Sequence, residues 1–256
     1  MRALITGAAT GIGAQTVIRL KQAGYEVVAL DIAEPAGVDQ WIAVDLSDPA
    51  SIDAAVSKVT GTFDCLINNA GVPPRLGLER KVLAINFTGM VQLTNAVLNK
   101  LNAGASIVVT ASRAGAFWRD NLDQVKALMA VDTSELDAFI DAQNIDYVRA
   151  YNLSKEAAIV WSMSQTERLI AMDLRINSVS PAAVSTGILS DFVSAFGEKA
   201  ARNVERVGRP GTPEEVADLI VFLASKESGW LKGNDVTIDG GMSALMATDQ
   251  LGLHQG

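Results

Sequence analysis

The chain has 256 residues, a formal net charge of −8 and a hydrophobic fraction of 49%, so it can bury one large core while lacking the basic patch that a nucleic-acid or anionic-membrane partner would need. One cysteine, Cys65, excludes an intramolecular disulfide, and one histidine, His254, argues against a Ser-His-Asp hydrolase or a His-ligated metal site.

Residues 2–6 read as a buried strand that begins almost at Met1. That leaves no room for a signal peptide, and no apolar run reaches the roughly 18 residues of a membrane span, so a reduced cytoplasm is the expected location. The turn Gly7-Ala8-Ala9-Thr10-Gly11-Ile12-Gly13 leads into a helix marked by Val17, Ile18 and Leu20, and residues 26–31 form the next strand. This is a βαβ unit whose glycines let backbone amides approach an anion, with the partial positive charge of a helix N-terminus behind them. Gly7, Thr10, Gly11, Ile12 and Gly13 are therefore candidates for holding the phosphates of a dinucleotide, although their GxxxGxG spacing differs from the commoner GxGxxG fingerprint. Asp31 ends the second strand, where an acid would hydrogen-bond adenosine ribose hydroxyls and repel a 2′-phosphate. Neither Thr10 nor Ile32 is basic, so NAD is expected over NADP. The competing reading of Asp31 is a solvated residue closing a strand.

The alternation continues through a strand at 41–46, a helix from about Pro49 to Val59, a strand and glycine turn at 63–71, a helix around 79–101 and a strand at 106–112. Cys65 stands beside Leu66 and Ile67 and reads as a core thiol, not a nucleophile. A helix at 151–172 precedes a strand at 174–181. The last helix is entered through Thr212-Pro213-Glu214-Glu215, a capping box with proline at the first helical position, and leads to a closing strand at 235–239. Strands and helices alternating over residues 1–256 predict a single α/β domain, a doubly wound parallel sheet with ligands at its carboxyl edge. Two stretches interrupt the rhythm. Residues 119–147 read as an acidic helical hairpin with stripes Leu122, Val125, Met129 and Leu136, Phe139, Ile140, capped at Ser134 with Asp137. Residues 183–207 hold Ile188, Leu189, Phe192, Val193 and Phe196, which suit either a lid over an apolar pocket or a core-packing helix.

Tyr151 and Lys155 are four residues apart and share a helix face. A cation about 4 Å from a phenol is worth about 4 kcal/mol at an effective dielectric near 20, enough to bring a group that titrates near 10 toward neutrality and make it a general acid/base. The pair alone also suits the wet side of an ordinary helix.

Taken together, TGAATGIG (6–13), DL (45–46), NNAG (68–71), Asn86 in INFTG, Ser112 in SRAG, YNLSK (151–155) and IDGG (238–241) stand in an order that resembles the short-chain dehydrogenase/reductase family over essentially the whole chain. The resemblance implies a Rossmann fold, with Tyr151 as acid/base and Lys155 lowering its pKa while holding the nicotinamide ribose. It makes Ser112 the hydrogen-bond partner of the substrate oxygen and Asn86 the anchor of a proton-relaying water. Asp45 and Leu46 would flank the adenine, Asn69, Ala70 and Gly71 would line the cofactor groove, and Pro181, Val184 and Thr186 would grip the carboxamide. Three departures stand out: Ala182 where the family usually has glycine, Arg113 directly after the serine, and a separation of 39 positions from Ser112 to Tyr151. The inserted hairpin, KEAAIVWS (155–162) and the ending most resemble a branch that holds bacterial 3α-hydroxysteroid and coniferyl alcohol dehydrogenases.

The expected activity is NAD-dependent interconversion of a small hydrophobic alcohol, aromatic or polycyclic, with its ketone or aldehyde. Phe117 and Trp118 would wall the pocket together with the lid residues. The alternative is a catalytically idle NAD-binding regulator or scaffold; a sugar-nucleotide epimerase would want a separate substrate domain. Family members usually pair through the tyrosine helix, which the hairpin could cover, so a homodimer through the last helix and closing strand is expected over a tetramer.

Overall fold

A computed structural model of the chain describes residues 1–187, 195, 197, 202 and 204–253. Its centre is a seven-stranded parallel sheet in the order β3-β2-β1-β4-β5-β6-β7. The strands are β1 (Arg2–Thr6), β2 (Glu26–Asp31), β3 (Gln40–Ala43), β4 (Phe63–Asn68), β5 (Leu101–Thr110), β6 (Arg175–Pro181) and β7 (Asp235–Ile238). The helices are α1 (Gly11–Gln22), α2 (Pro49–Lys58), α3 (Glu79–Leu83), α4 (Gly89–Val97), α5 (Leu122–Met129), α6 (Leu136–Gln143), α7 (Tyr147–Ser164), α8 (Thr166–Ala171), α9 (Pro213–Ala224) and α10 (Met242–Leu251).

Parallel pairing needs a crossover at every connection, and helices on both faces bury the inner strands, while the edge strands β3 and β7 stay partly exposed. Successive residues point to opposite faces, so Leu4, Leu30, Leu66 and Ile107 join the core under α2, α4 and α7. Ile5, Ala29, Cys65 and Val108 join the one under α1 and α9. Cys65 is thus a core thiol, pushed up to about 12 by burial and inert as a nucleophile. The chain builds outward from β1 to β3, returns, and builds the other way from β4. The strand order therefore reverses between β1 and β4, and the crevice beyond their carboxyl ends is where such a sheet takes its ligands.

The expected capping box holds: the Thr212 hydroxyl accepts from Glu215 N at 3.3 Å and the Glu215 carboxylate accepts from Thr212 N at 2.8 Å. Several boundaries differ from expectation. Strand β5 begins at Leu101, five residues early, because a register shift between Phe63 and Cys65 and the left-handed Gly104 (φ 78°) carry it past a polar stretch. The expected helix 79–101 is α3 and α4 joined by a π-helical turn, Ala84–Thr88, and ends at Val97 before a short 3₁₀ turn. The tyrosine helix starts at Tyr147, one turn early, since Asp146 caps it by accepting from Arg149 N at 2.7 Å; it ends at Ser164, with α8 following. The hairpin is present, but its second helix is entered through Asp132, whose N–H is accepted by Glu135 at 3.1 Å, and not through Ser134. On its first helix Leu128 is buried with Val125, in place of Leu122 and Met129. Helix α10 was not expected at all. The apolar residues Ile188, Leu189, Phe192, Val193 and Phe196, and His254, lie outside the described residues.

Candidate active site

Beyond β1, the Thr6 hydroxyl accepts from both Asn69 N and Ala70 N at 3.0 Å, and Asn69 Nδ2 donates to Gly7 O at 2.8 Å. These bonds draw the loops after β1 and β4 together at the reversal point. Only glycine fits there. Gly7 has φ 67° and a Cβ on it would stand 2.5 Å from Ala70 Cα, while a Cβ on Gly13 would meet Gly7 O at 1.8 Å. Helix α1 therefore starts hard against the sheet, and Thr10 at its N-cap makes no side-chain bond to the first turn, leaving those backbone donors for an anion.

The crevice is a cleft of about 890 Å³. Gly7, Thr10, Gly11, Ile12, Asp31, Ile32, Asp45, Leu46, Asn69, Ala70, Gly71, Pro181, Val184 and Thr186 all line it, as do Ser112, Tyr151 and Lys155. Gly13 does not; it stands behind the turn and serves the close packing just described. Asn86 does not line it either. It sits in the π-helical turn, where Oδ1 accepts from Val72 N at 2.8 Å and Nδ2 donates to Val72 O at 3.1 Å and Ser154 Oγ at 3.3 Å. Asn86 thereby pins the loop after β4 to α7, and inserted turns of this kind recur at functional sites.

At the end nearest β2, Asp31 accepts from Ala9 N at 2.9 Å and from Ala33 N at 3.1 Å, which fixes the carboxylate over the glycine turn. Asp45 accepts from the hydroxyl of Ser47 at 2.6 Å and from its N–H at 2.8 Å, and these bonds lower its pKa. The glycine cradle, the open helix N-terminus and an acid at the strand end fit an extended dinucleotide.

At the other end, Ser112 follows β5 in extended conformation (φ −171°) and its hydroxyl accepts from Ala114 N at 3.1 Å. Gly115 lets this turn press onto α7: a Cβ there would stand 2.8 Å from Lys155 C and O. Tyr151 and Ser112 line this end of the cleft together. Burial pushes the Tyr151 phenol up to about 12, the nearby Ser112 hydroxyl opposing it, and pushes Lys155 down to about 8. The expected Coulomb lowering of the phenol by the lysine does not govern the pair. Lys155 Nζ stands 5.8 Å from the Tyr151 ring centre and donates to Thr110 O at 2.9 Å, so desolvation governs both groups.

Phe117 lines the cleft and is 48% exposed. Trp118 does not line it; the indole packs against the core and carries Arg119 over its ring at 4.2 Å. Its place in the wall is taken by Met242 and Met246 of α10. Asp239 caps that helix, accepting from Ser243 N at 2.7 Å and Gly241 N at 3.0 Å. The acid before Gly240-Gly241, followed by apolar residues at 242, 245 and 246, was the available signal. Lys81, Val148 and Asn152 also line the cleft and were not anticipated.

The sequence family described as short chain dehydrogenase matches residues 1–122, and the one described as Enoyl-(Acyl carrier protein) reductase matches residues 134–243. The chain is similar to coniferyl-alcohol dehydrogenase of Pseudomonas sp. strain HR199, 35% identical over 245 residues that cover 94% of this chain and 96% of the relative. It is 29% identical to 3-alpha-hydroxysteroid dehydrogenase/carbonyl reductase of Comamonas testosteroni, over 96% of this chain and 98% of the relative. Among solved structures, the 3-alpha-hydroxysteroid dehydrogenase of Pseudomonas sp. B-0831 complexed with NADH matches with TM-score 0.86 and 29% identity, covering 96% of this chain and 98% of that one.

Proposed function

Because the chain belongs to the short-chain dehydrogenase/reductase family of oxidoreductases, we propose that it interconverts a hydrophobic alcohol and its carbonyl compound with NAD as cofactor. A nicotinamide, when bound, supplies the hydride acceptor for oxidation and the donor for reduction. The chain's own residues do the rest. Backbone amides of the turn at Gly7–Gly13 and the α1 N-terminus hold the pyrophosphate. Asp31 takes the adenosine ribose hydroxyls and disfavours a 2′-phosphate, and Asp45 and Leu46 border the adenine. Pro181, Val184 and Thr186 hold the carboxamide, and Lys155 holds the second ribose. Ser112 Oγ and Tyr151 Oη both contact the substrate oxygen. Tyr151 gives it a proton in carbonyl reduction and takes one in alcohol oxidation, while Asn86 keeps the floor of the site in place.

The observation that carries this reading is the grouping of Ser112, Tyr151 and Lys155 at one end of a cleft whose other end is closed by Asp31. Phe117, Met242, Met246 and Ala182 give the substrate end an apolar wall, which supports an aromatic or polycyclic alcohol, as does the similarity to coniferyl-alcohol and 3-alpha-hydroxysteroid dehydrogenases. Contact of about 150 Å² with such a wall is worth close to 4 kcal/mol at about 25 cal/mol per Å². The test is dinucleotide turnover with cinnamyl-type alcohols and hydroxysteroids against ethanol and simple sugars, each with NAD and NADP. A catalytic efficiency at least tenfold higher for the first group with NAD is expected; sugars turning over freely while the hydrophobic alcohols do not would overturn the substrate class.

For assembly the reading is a homodimer through α9 and β7. The hairpin lies across the tyrosine helix: Gln124 Oε1 accepts from Arg149 Nε at 2.6 Å, and Arg80 of α3 binds Asp137 at 3.1 Å. No helix of the described residues is long and apolar enough to cross a membrane, and a reduced cytoplasm suits the lone core thiol.

A further inference from the structure

Arg113 is the residue that the assigned chemistry leaves without a task. It follows Ser112 directly, lines the cleft, and its side chain is only 17% exposed. Its ion partner is Asp239: Nε stands 3.7 Å from Asp239 Oδ2, within ion-pair range but too far for a hydrogen bond. Asp239 is occupied elsewhere. Its two oxygens accept from Gly241 N, Ser243 N and Ser243 Oγ, all at the start of α10. Nη2 meets only the thioether of Met246, at 3.1 Å, a weak acceptor. Among the described residues Nη1 has no hydrogen-bond partner.

A guanidinium has five donors in a planar fork, and a buried donor left unused, as Nε is here, costs free energy that some partner normally offsets. The charges around the cleft point to the kind of partner. Among the described residues, the acids that line it are Asp31 and Asp45, which stand at the ends of β2 and β3, near the adenosine end. The end at Ser112 is lined, among the described residues, by the cations Arg113 and Lys155, with Phe117, Met242 and Met246.

Resting on the alcohol dehydrogenase reading, we infer that Arg113 is a specificity-determining residue which binds a carboxylate carried by the substrate, so that the preferred substrate is a hydrophobic alcohol bearing a carboxylate away from its reacting carbon. A carboxylate matches the fork in a plane, and a single guanidinium in an apolar wall suits a monoanion better than a phosphate dianion. The apolar wall then holds the hydrocarbon between the two polar ends.

The test compares an aromatic alcohol that carries a ring carboxylate with its neutral methyl ester, in the wild type, Arg113→Met and Arg113→Lys. The wild type should favour the acid at least tenfold in kcat/KM, chiefly through KM. The ratio should fall close to one in Arg113→Met and lie between in Arg113→Lys, which keeps a charge beside Asp239 but not the fork. Equal or inverted preference in the wild type, with the ester turning over well, would overturn the role of Arg113 and leave the dehydrogenase reading standing. Calorimetry with the corresponding ring dicarboxylate, an analogue with no alcohol to oxidise, reads the same site without turnover. Binding at least tenfold tighter to the wild type than to Arg113→Met is expected, and equal binding overturns the inference even if no alcohol is oxidised.

Discussion

Lys155 Nζ donates to the carbonyl oxygen of Thr110 at 2.9 Å. The bond fixes the ammonium between the end of β5 and the tyrosine helix, 5.8 Å from the centre of the Tyr151 ring. Lys155 is thus placed to orient a ribose and stiffen the site. Lys155→Ala is expected to lose activity and to weaken NADH binding measured by fluorescence. Tyr151→Phe keeps the ring and its packing and should bind NADH normally, while kcat falls by about 10² to 10⁴. A Phe variant with a tenth of wild-type kcat would remove Tyr151 from the mechanism.

Burial holds Tyr151 up to about 12 and Lys155 down to about 8, so near neutrality the phenol carries its proton. Carbonyl reduction starts from that form and should be fastest at neutral pH. Alcohol oxidation needs the proton gone and should climb steadily with pH. Rate profiles in both directions check this; an oxidation rate flat from pH 7 to 10 would contradict it.

The same shifts bear on stability. Tyr25, Cys65 and Tyr151 are each raised to about 12, so the folded state binds protons more tightly than the unfolded one, and their contribution is lost as pH rises from about 9 to 12. Lys155 acts in the other direction, from about 8 to its ordinary 10.5. Thermal midpoints should therefore fall above pH 10, and Cys65→Ala should make that fall shallower.

Much of this was legible because the residues concerned obey local rules. Gly7 and Gly13 are glycine since a Cβ would strike backbone, and the alternation of Leu4 with Ile5 writes a strand buried on both faces. What was not legible depended on distant partners. Trp118 looked like pocket wall until the turn at 113–115 tipped it into the core, and Met242 and Met246 reach the cleft because of a cap supplied by Asp239. The Tyr151–Lys155 spacing was read correctly as a shared face, yet spacing says nothing about burial, and burial set both pKa values.

Asp31 accepts from Ala9 N and Ala33 N, so its carboxylate cannot swing away from the glycine turn without breaking both bonds. Replacing Asp31 with Ser and Ile32 with Arg should raise NADP efficiency relative to NAD by at least tenfold, read from kcat/KM for both cofactors. Equal use of the two by the wild type would show that Asp31 does not discriminate.

Glu156 is 1% exposed and receives Arg149 Nη1 at 3.0 Å, Arg149 Nη2 at 2.6 Å and Asn121 Nδ2 at 2.8 Å. Asn121 also donates to Phe117 O at 3.2 Å, so one carboxylate ties the hairpin, the tyrosine helix and the cleft-lining Phe117 together. Removing one partner of a buried pair costs about 3 kcal/mol or more. Glu156→Ala should lower the thermal midpoint by roughly 6–12 °C for a domain of this size and raise KM for hydrophobic alcohols. A variant as stable as wild type would mean that the hairpin is held by its apolar residues alone.

The last prediction concerns assembly. Strand β7 is one of the two edges of the sheet, and an edge with unpaired backbone groups is normally covered or blunted. Beside it, Trp230 is 95% exposed, and Phe222 on α9 is also exposed. A tryptophan this open in a monomer leaves a large apolar area in water. A twofold axis would place one patch on its copy, as isologous dimers do. Light scattering should then give about twice the 27.0 kDa of one chain, and Trp230→Arg with Phe222→Arg should shift the mass toward the monomer. A wild-type monomer would overturn the dimer, and a tetramer that survives the double substitution would place the contact on another face; with the hairpin across α7, that outcome would require the hairpin itself to be the interface.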